Sequence, residues 1–223
     1  MVKINELFDI SKTIACGIFE GKTYPWEVLP NIKDFILALG ESLPKDEFNH
    51  PAEGVWIAKD AVVYPTAFIG PNVIIDHGAQ VKHCAFVREN AIIGKGATVG
   101  NSSELKNVIL FDNVQTPHYN YVGDSILGYK SHMGAGSITS NVKSDKSLVV
   151  VYDRFSGEKI ETGLKKFGAM LGDYVEVGCN SVLNPGSVLG RKVSVYPTSC
   201  VRGVIPEGHI YKDKDHIEKR IEK

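Results

Sequence analysis

The sequence predicts an all-β fold, a parallel β-helix of hexapeptide repeats, and three observations predict it. An apolar residue recurs every six positions without a miss, at Ile57, Val63, Ile69, Ile75, Val81, Val87, Ile93, Val99 and Leu105. A small or β-branched residue follows each of them by four positions, at Ala61, Ala67, Val73, Ala79, Ala85, Ala91, Ala97, Ser103 and Ile109. The beat then returns late in the chain at Leu171, Val177, Leu183, Leu189, Val195 and Val201. A period of six is neither helical nor the alternation of an ordinary strand. It is the mark of a solenoid in which each hexad forms one short face of a coil. Three hexads close a triangular turn, so residues 18 apart in the chain are expected to stack.

Residues 1–52 lie outside the beat and read as a helical and extended cap over the first coil, covering its apolar end and open strand edge. Within them Asn31–Gly40 has helical spacing, with Gly40 as the stop, and Tyr24–Pro30 reads as extended or turn because of its prolines. Residues 53–208 form the solenoid. Two interruptions are expected to protrude as loops. The first falls around Asn113–Asn120, because Leu105 and Leu127 are 22 residues apart where one coil needs 18. The second spans 141–168, polar and lysine-rich, with a strand-like run from Ser147 to Tyr152. Residues 209–223 read as a tail whose charged run, Lys212 to Lys223, is a short solvated helix.

The chain has 223 residues and 43% hydrophobic content, enough for one sizeable core. Its net charge of −1 gives no electrostatic drive toward nucleic acid or a membrane surface. No run of 18 apolar residues spans a bilayer, and the start, MVKINELF, does not read as a signal peptide. Cys16, Cys84, Cys179 and Cys200 form no CxxC pair, which reads as a reduced, cytoplasmic protein. His77 and His83 are six apart, hence on adjacent faces, and with no third ligand they are not read as a metal site.

Arg88 and Lys106 each follow a core position and are 18 apart, which predicts two cations stacked at the strand spacing. Such a pair either binds an anion, a phosphate above all, or is a solvated ladder neutralised by Glu89 and Glu104. His118 falls in the first interruption, with Tyr121 three residues on, and both are expected one coil above Lys106. Imidazole is the usual general base for deprotonating an attacking amine, and Glu104 is the candidate to orient it. Gly134-Ala135-Gly136 marks either a close backbone approach to a ligand or a tight turn. The second interruption opens at Asn141 and carries Lys143, Lys146, Lys165 and Lys166, a phosphate clamp or a solvated cluster.

The run Asn101-Ser-Ser-Glu-Leu-Lys106, the segment His118-Tyr-Asn-Tyr-Val-Gly-Asp124, the run Gly134-Ala-Gly-Ser-Ile-Thr139 and Asn141 together resemble a known family. It is the acetyltransferase half of bifunctional glucosamine-1-phosphate acetyltransferase/N-acetylglucosamine-1-phosphate uridylyltransferase. Archaeal-type sugar-1-phosphate nucleotidylyltransferases are closer still and share the Lys165-Lys-Phe-Gly-Ala169 segment. The resemblance covers roughly residues 55–205. It implies a left-handed helix, a homotrimer, and acetyl-CoA as co-substrate with no metal required. It implies an amino-sugar phosphate as acceptor, with His118 as base and Glu104 as its support. Arg88, Lys106 and Tyr121 would bind the phosphate, Asn141 would contact the amino sugar, and Lys146 would complete the phosphate site. Acetyl-CoA would lie between two subunits beside Gly178, Cys179 and the last coils, near Gly134, Ala135 and Gly136. His132 stands where bacterial relatives carry asparagine, and Lys212 is the nearest substitute for the arginine that holds the coenzyme. The glycine-rich start of the uridylyltransferase domain has no counterpart in residues 1–52, where Tyr24–Leu29 resembles the linker between the two domains. An acetyltransferase domain alone is therefore expected. The alternatives are a sugar-phosphate-binding trimer without catalysis and acetyl transfer to a nucleotide-linked amino sugar.

Overall fold

The computed structural model describes residues 2–221. They form a three-faced parallel β-solenoid. The first face stacks Val55–Ala58, Val73–Ile75, Phe86–Ile93, Glu104–Leu110, Tyr121–Leu127, Ala169–Leu171, Ser187–Leu189 and Val204–Ile205 in that order. The second stacks Val62–Val63, Gln80–Val81, Thr98–Asn101, Gln115–His118, His132–Met133, Glu176–Val177, Ser194–Val195 and His209–Tyr211. The third begins at Phe68–Ile69, uses the starts of the three long strands, and continues through Ile138–Thr139, Val182–Leu183 and Cys200–Val201. The beat residues from Ile75 to Leu105 are fully buried, as are Ala79, Ala91 and Ala97 at the narrow positions. Small side chains are needed there because the corners bring three walls together.

The expected loop at Asn113–Asn120 does not exist. Gln115–His118 is an ordinary rung, paired with Thr98, Val99 and Asn101 below it. What changes is the coil length: Ala91 pairs Val108, Thr98 pairs Gln115 and Glu104 pairs Tyr121, each 17 residues on. The residue is lost at a β-bulge after Val87, which pairs Leu105, while Glu89 pairs Lys106. The beat itself continues in polar form, with fully buried Thr116 on the inward position above Val99. Ser103 supports it, donating its hydroxyl to the Thr116 carbonyl at 2.9 Å.

The second interruption is a true insertion, and Leu127 pairs Leu171 across it. It contains an antiparallel hairpin of Val150–Tyr152 with Lys159–Glu161. Val149 and Val151 are fully buried on its inner side.

The N-terminal residues do not sit over the coil end. They run along the flank of the first face, where the helix Ile32–Ser42 contacts the Val73–Ile75, Phe86–Ile93 and Glu104–Leu110 strands. The reason is an outward apolar ladder on that face: Ile74, Ile92, Ile109, Ile126, Met170 and Val188 are all fully buried. Each such side chain stabilises the fold by about 1.5–3 kcal/mol when covered. Phe8 packs on Phe111 with ring centres 5.1 Å apart, and Trp26 on Phe167 at 5.5 Å. Pro25–Asn31, expected as extended or turn, is a 3₁₀ helix with proline at its first turn. Gly40 does not stop the long helix, which runs on to Ser42. A Cβ at Gly40 would overlap the Trp56 indole, so the glycine is there for close approach.

Both ends of the solenoid are closed by antiparallel strands. Phe48–Ala52 pairs with Val55–Ala58 at the start, so a short part of the N-terminal segment does cover a strand edge. At the other end Ile217–Lys219 pairs with His209–Tyr211. The tail expected as a helix is therefore a strand, because the last rung of the second face needs a hydrogen-bonding partner. Glu222 and Lys223, the end of that expected helix, lie outside the described residues.

A charged latch joins the end of the N-terminal segment to the first corner. His77 Nδ1 lies 2.9 Å from Asp60 and Nε2 3.2 Å from Glu47. Partial burial pulls the imidazole down, but the bonds and charges of Asp60, Glu47 and Asp76 outweigh it and the net shift is upward. A raised folded-state value adds stability below the unfolded value of about 6.5 and loses it as pH rises through the folded value. His77→Gln should therefore lower the melting temperature at about pH 5.5 and much less at about pH 9. Equal losses at both would refute the latch.

Candidate active site

The site is built on the edge between the second and third faces. Five successive coils turn this corner through a residue with positive φ: Ser102 at 55°, Tyr119 at 51°, Gly136 at 71°, Asn180 at 56° and Thr198 at 60°. The amide of each donates to the carbonyl one position earlier in the corner below, as in Tyr119 to Asn101, Gly136 to His118, Asn180 to Ala135 and Thr198 to Cys179. His118, Ala135, Cys179 and Pro197 thus stand one above another. The three glycines Gly134, Gly136 and Gly178 have no room for a side chain against the next corner.

His118 is solvent-exposed, and its ring has no hydrogen bond or ion pair among the described residues. Its backbone is fixed from within by buried Asn120. Asn120 Oδ1 accepts from the His118 amide at 3.1 Å, and its Nδ2 donates to the carbonyls of Gly134 at 2.9 Å and Ser137 at 3.1 Å. One side chain therefore ties the His118 corner to the glycine corner above it. Asn120 stood in the motif without a role, and an asparagine next to a histidine in a polar turn gives no signal of such burial.

The third face carries the charged cluster. The bulge removes Arg88 from the position above which Lys106 was expected, and Glu89 takes it. Arg88 instead pairs with Glu104, Nη1 to Oε1 at 3.1 Å, and the bond to Glu104 holds the guanidinium firmly charged. Glu104 is thus engaged by Arg88 and makes no hydrogen bond to His118 among the described residues. His118 lies above Asn101 and Tyr121 above Glu104, so neither stands over Lys106. Lys106 Nζ pairs with Asp124 Oδ1 at 3.0 Å. Asn141 Nδ2 reaches Asp124 Oδ2 at 2.5 Å and the Tyr121 hydroxyl at 3.3 Å. Burial and the nearby Asp124 and Glu104 charges push the Tyr121 phenol up, so it remains a hydrogen-bond donor at neutral pH. Arg88, Glu104, Tyr121, Asn141, Lys106 and Asp124 form one linked patch.

Three predicted residues lie elsewhere. His132 faces out of the second face, where its Nδ1 pairs with Glu176 at 2.9 Å in an open cleft of about 480 Å³. Lys146 sits in an exposed turn with φ of 58°, its side chain making no bond to the patch among the described residues. Lys212 lies at the far end of the His118 edge, paired with Glu218 at 2.7 Å. It lines a basic cleft of about 410 Å³ with Arg154, Arg202 and Lys214. Among the described residues no group of three His, Cys, Asp or Glu side chains is placed to hold a metal, and no helix is long and apolar enough to cross a membrane.

The hexad beat, the three stacked faces and the single-residue corners define a hexapeptide-repeat β-helix domain. The chain belongs to the GMPPB C-terminal domain family, whose model matches residues 69–218. It is 32% identical over 162 residues to the bifunctional protein GlmU of Methanococcus vannielii, across 72% of this chain and 34% of that protein. It is also 32% identical over 111 residues to the bifunctional sugar-1-phosphate nucleotidylyltransferase/acetyltransferase of Sulfurisphaera tokodaii, across 50% of this chain and 27% of that one. The chain spans about a third or less of the length of these curated relatives. Among solved structures, a Bacillus cereus protein described as a putative acetyltransferase aligns over 75% of this chain and 78% of its own, with TM-score 0.41 and 16% identity.

Proposed function

We propose that this domain is an N-acetyltransferase that moves the acetyl group of acetyl-CoA to the amine of a hexosamine 1-phosphate, glucosamine 1-phosphate in the simplest case. Support comes from the Sulfurisphaera tokodaii relative, whose name joins nucleotidyl transfer to a sugar 1-phosphate with acetyl transfer in one protein. The observation that carries it is the imidazole of His118, unengaged among the described residues, on an edge of glycine and alanine corners next to a patch of oriented cations and the Tyr121 hydroxyl. In this reading Arg88, Lys106 and Tyr121 hold the phosphate, and Asn141 contacts the sugar. His118 takes a proton from the attacking ammonium-derived amine as the C–N bond forms. The C–S bond then breaks, and the proton passes to the departing thiolate. An amide is available for the oxyanion. Gly134 N–H is spent on Val177 and Gly136 N–H on His118, which leaves that of Ala135 among the described residues. One such donor is typically worth about 3 kcal/mol.

Acetyl-CoA would extend along the edge past Cys179 toward the basic cleft at Lys212. The flat outward faces suit a homotrimer in which neighbouring copies complete the groove, with His132 contributed from the facing surface. The test is a thiol-release screen over amino-sugar phosphates and nucleotide-linked amino sugars, on protein whose mass is measured by light scattering. Release with glucosamine 1-phosphate by a species near three times 24.4 kDa supports the reading. Binding of sugar phosphate without thiol release favours a non-catalytic role, and activity from a 24.4 kDa species would contradict the trimer.

A further inference from the structure

We propose that Asp124 is the positioning residue of the acceptor end, holding Lys106 where it meets the phosphate and Asn141 where it meets the sugar. This rests on the function proposed above. Asp124 is 3% exposed and accepts from three side-chain donors. Oδ1 accepts from Lys106 Nζ and Asn107 Nδ2, each at 3.0 Å, and Oδ2 accepts from Asn141 Nδ2 at 2.5 Å. Asn107 Nδ2 also donates to the Leu29 carbonyl at 3.2 Å, so the N-terminal segment hangs on the same carboxylate.

The corner itself does not ask for a charge. Asn72, Asn90, Asn107 and Asp124 occupy the same corner of successive coils, with φ of 56°, 51°, 55° and 47°. Asparagine serves this left-handed position well, and Asn72 bonds Asn90 side chain to side chain at 2.9 Å. The amide becomes a carboxylate only where Lys106 arrives. A buried ion pair contributes little to stability against a neutral alternative. The charge is therefore explained by what it orients. Lys106 spends one of its three N–H groups on Asp124, and its side chain is 14% exposed. The other two donors have no partner among the described residues. With Arg88 balanced by Glu104 and Lys106 by Asp124, the patch offers aligned donors and not an excess of positive charge. An incoming phosphate is recognised by geometry.

The test is Asp124→Asn, which gives the fourth coil the residue that three coils below already carry. Positioning predicts an acceptor KM raised at least tenfold and an acetyl-CoA KM within twofold, alongside a lower melting temperature because the amide nitrogen faces a donor where a carboxylate oxygen accepted. In a Lys106→Gln background the same change should have a smaller effect on the acceptor KM, what remains being the part that acts through Asn141. An unchanged or lowered acceptor KM in D124N, or a full effect in the Lys106→Gln background, would overturn the proposal. Should D124N fail to fold, Lys106→Gln and Asn141→Ala carry the test, and an ordinary acceptor KM in both would overturn it. If the wild type releases no thiol from any acceptor, calorimetry with glucosamine 1-phosphate separates the two ideas. Binding weakened at least tenfold in D124N keeps Asp124 as proposed while the catalytic reading falls, and equal binding, or none to either protein, removes both.

Discussion

His118→Ala should lower turnover about 100-fold or more, which is the usual contribution of a positioned general base. That corresponds to roughly 2.7 kcal/mol of transition-state stabilisation. The fold should survive, and the reason is local. The imidazole makes no hydrogen bond among the described residues, so alanine leaves no partner stranded. Both backbone bonds of His118, its amide to Asn120 and its carbonyl to the Gly136 amide, are independent of the side chain. KM for both proposed substrates should change little, because the patch of Arg88 and Lys106 and the edge of glycine corners are untouched. A melting curve matching wild type, with kcat down two orders of magnitude, is the expected result. Near-wild-type turnover would sink the assignment of His118 as base and with it the acetyl-transfer chemistry argued from this edge.

The hexad beat made most of the scaffold legible, since it states in one dimension which residues face inward. It failed where the inward residue is polar. Thr116 keeps the rhythm above Val99 but carries a hydroxyl, and reading it as a break produced a loop where there is a rung. The bulge after Val87 was hidden for a different reason. A one-residue slip depends on how two coils align, and either coil alone looks regular. The flank position of the N-terminal segment did leave a trace. Ile74-Ile75 and Ile92-Ile93 double the apolar position at one face, as expected of a strand buried on both sides. Asp124 was invisible as a functional residue because its meaning is contrast: Asn72, Asn90 and Asn107 stand below it in a column that only the register reveals. The tail could not be read from charge, since closing an open rung depends on backbone hydrogen bonds that any side chain permits.

Gly100→Ala should damage both stability and turnover, though Gly100 touches neither of the proposed substrate patches. A Cβ there would overlap the Pro117 carbonyl oxygen, carbonyl carbon and Cα. These are backbone atoms, so no side chain can rotate away, and relief requires moving the Pro117–His118 corner. That corner is held from above by Asn120 and by the Gly136 amide, so it cannot rise without breaking buried bonds. Overpacking a close-packed interior costs typically 1–3 kcal/mol. With backbone on both sides the upper value applies, about 3 kcal/mol, or a melting point lower by roughly 6–12 °C for a chain of this size. The displacement falls on the imidazole proposed as the base, and a misplacement of about 1 Å is enough to lower turnover about 100-fold. The two losses are coupled through one atom, which separates this variant from His118→Ala, where turnover falls and stability does not. A melting point within about 2 °C of wild type, or a destabilised protein with ordinary kcat, would show that the corner yields in some other direction and that His118 is not held by the stack beneath it.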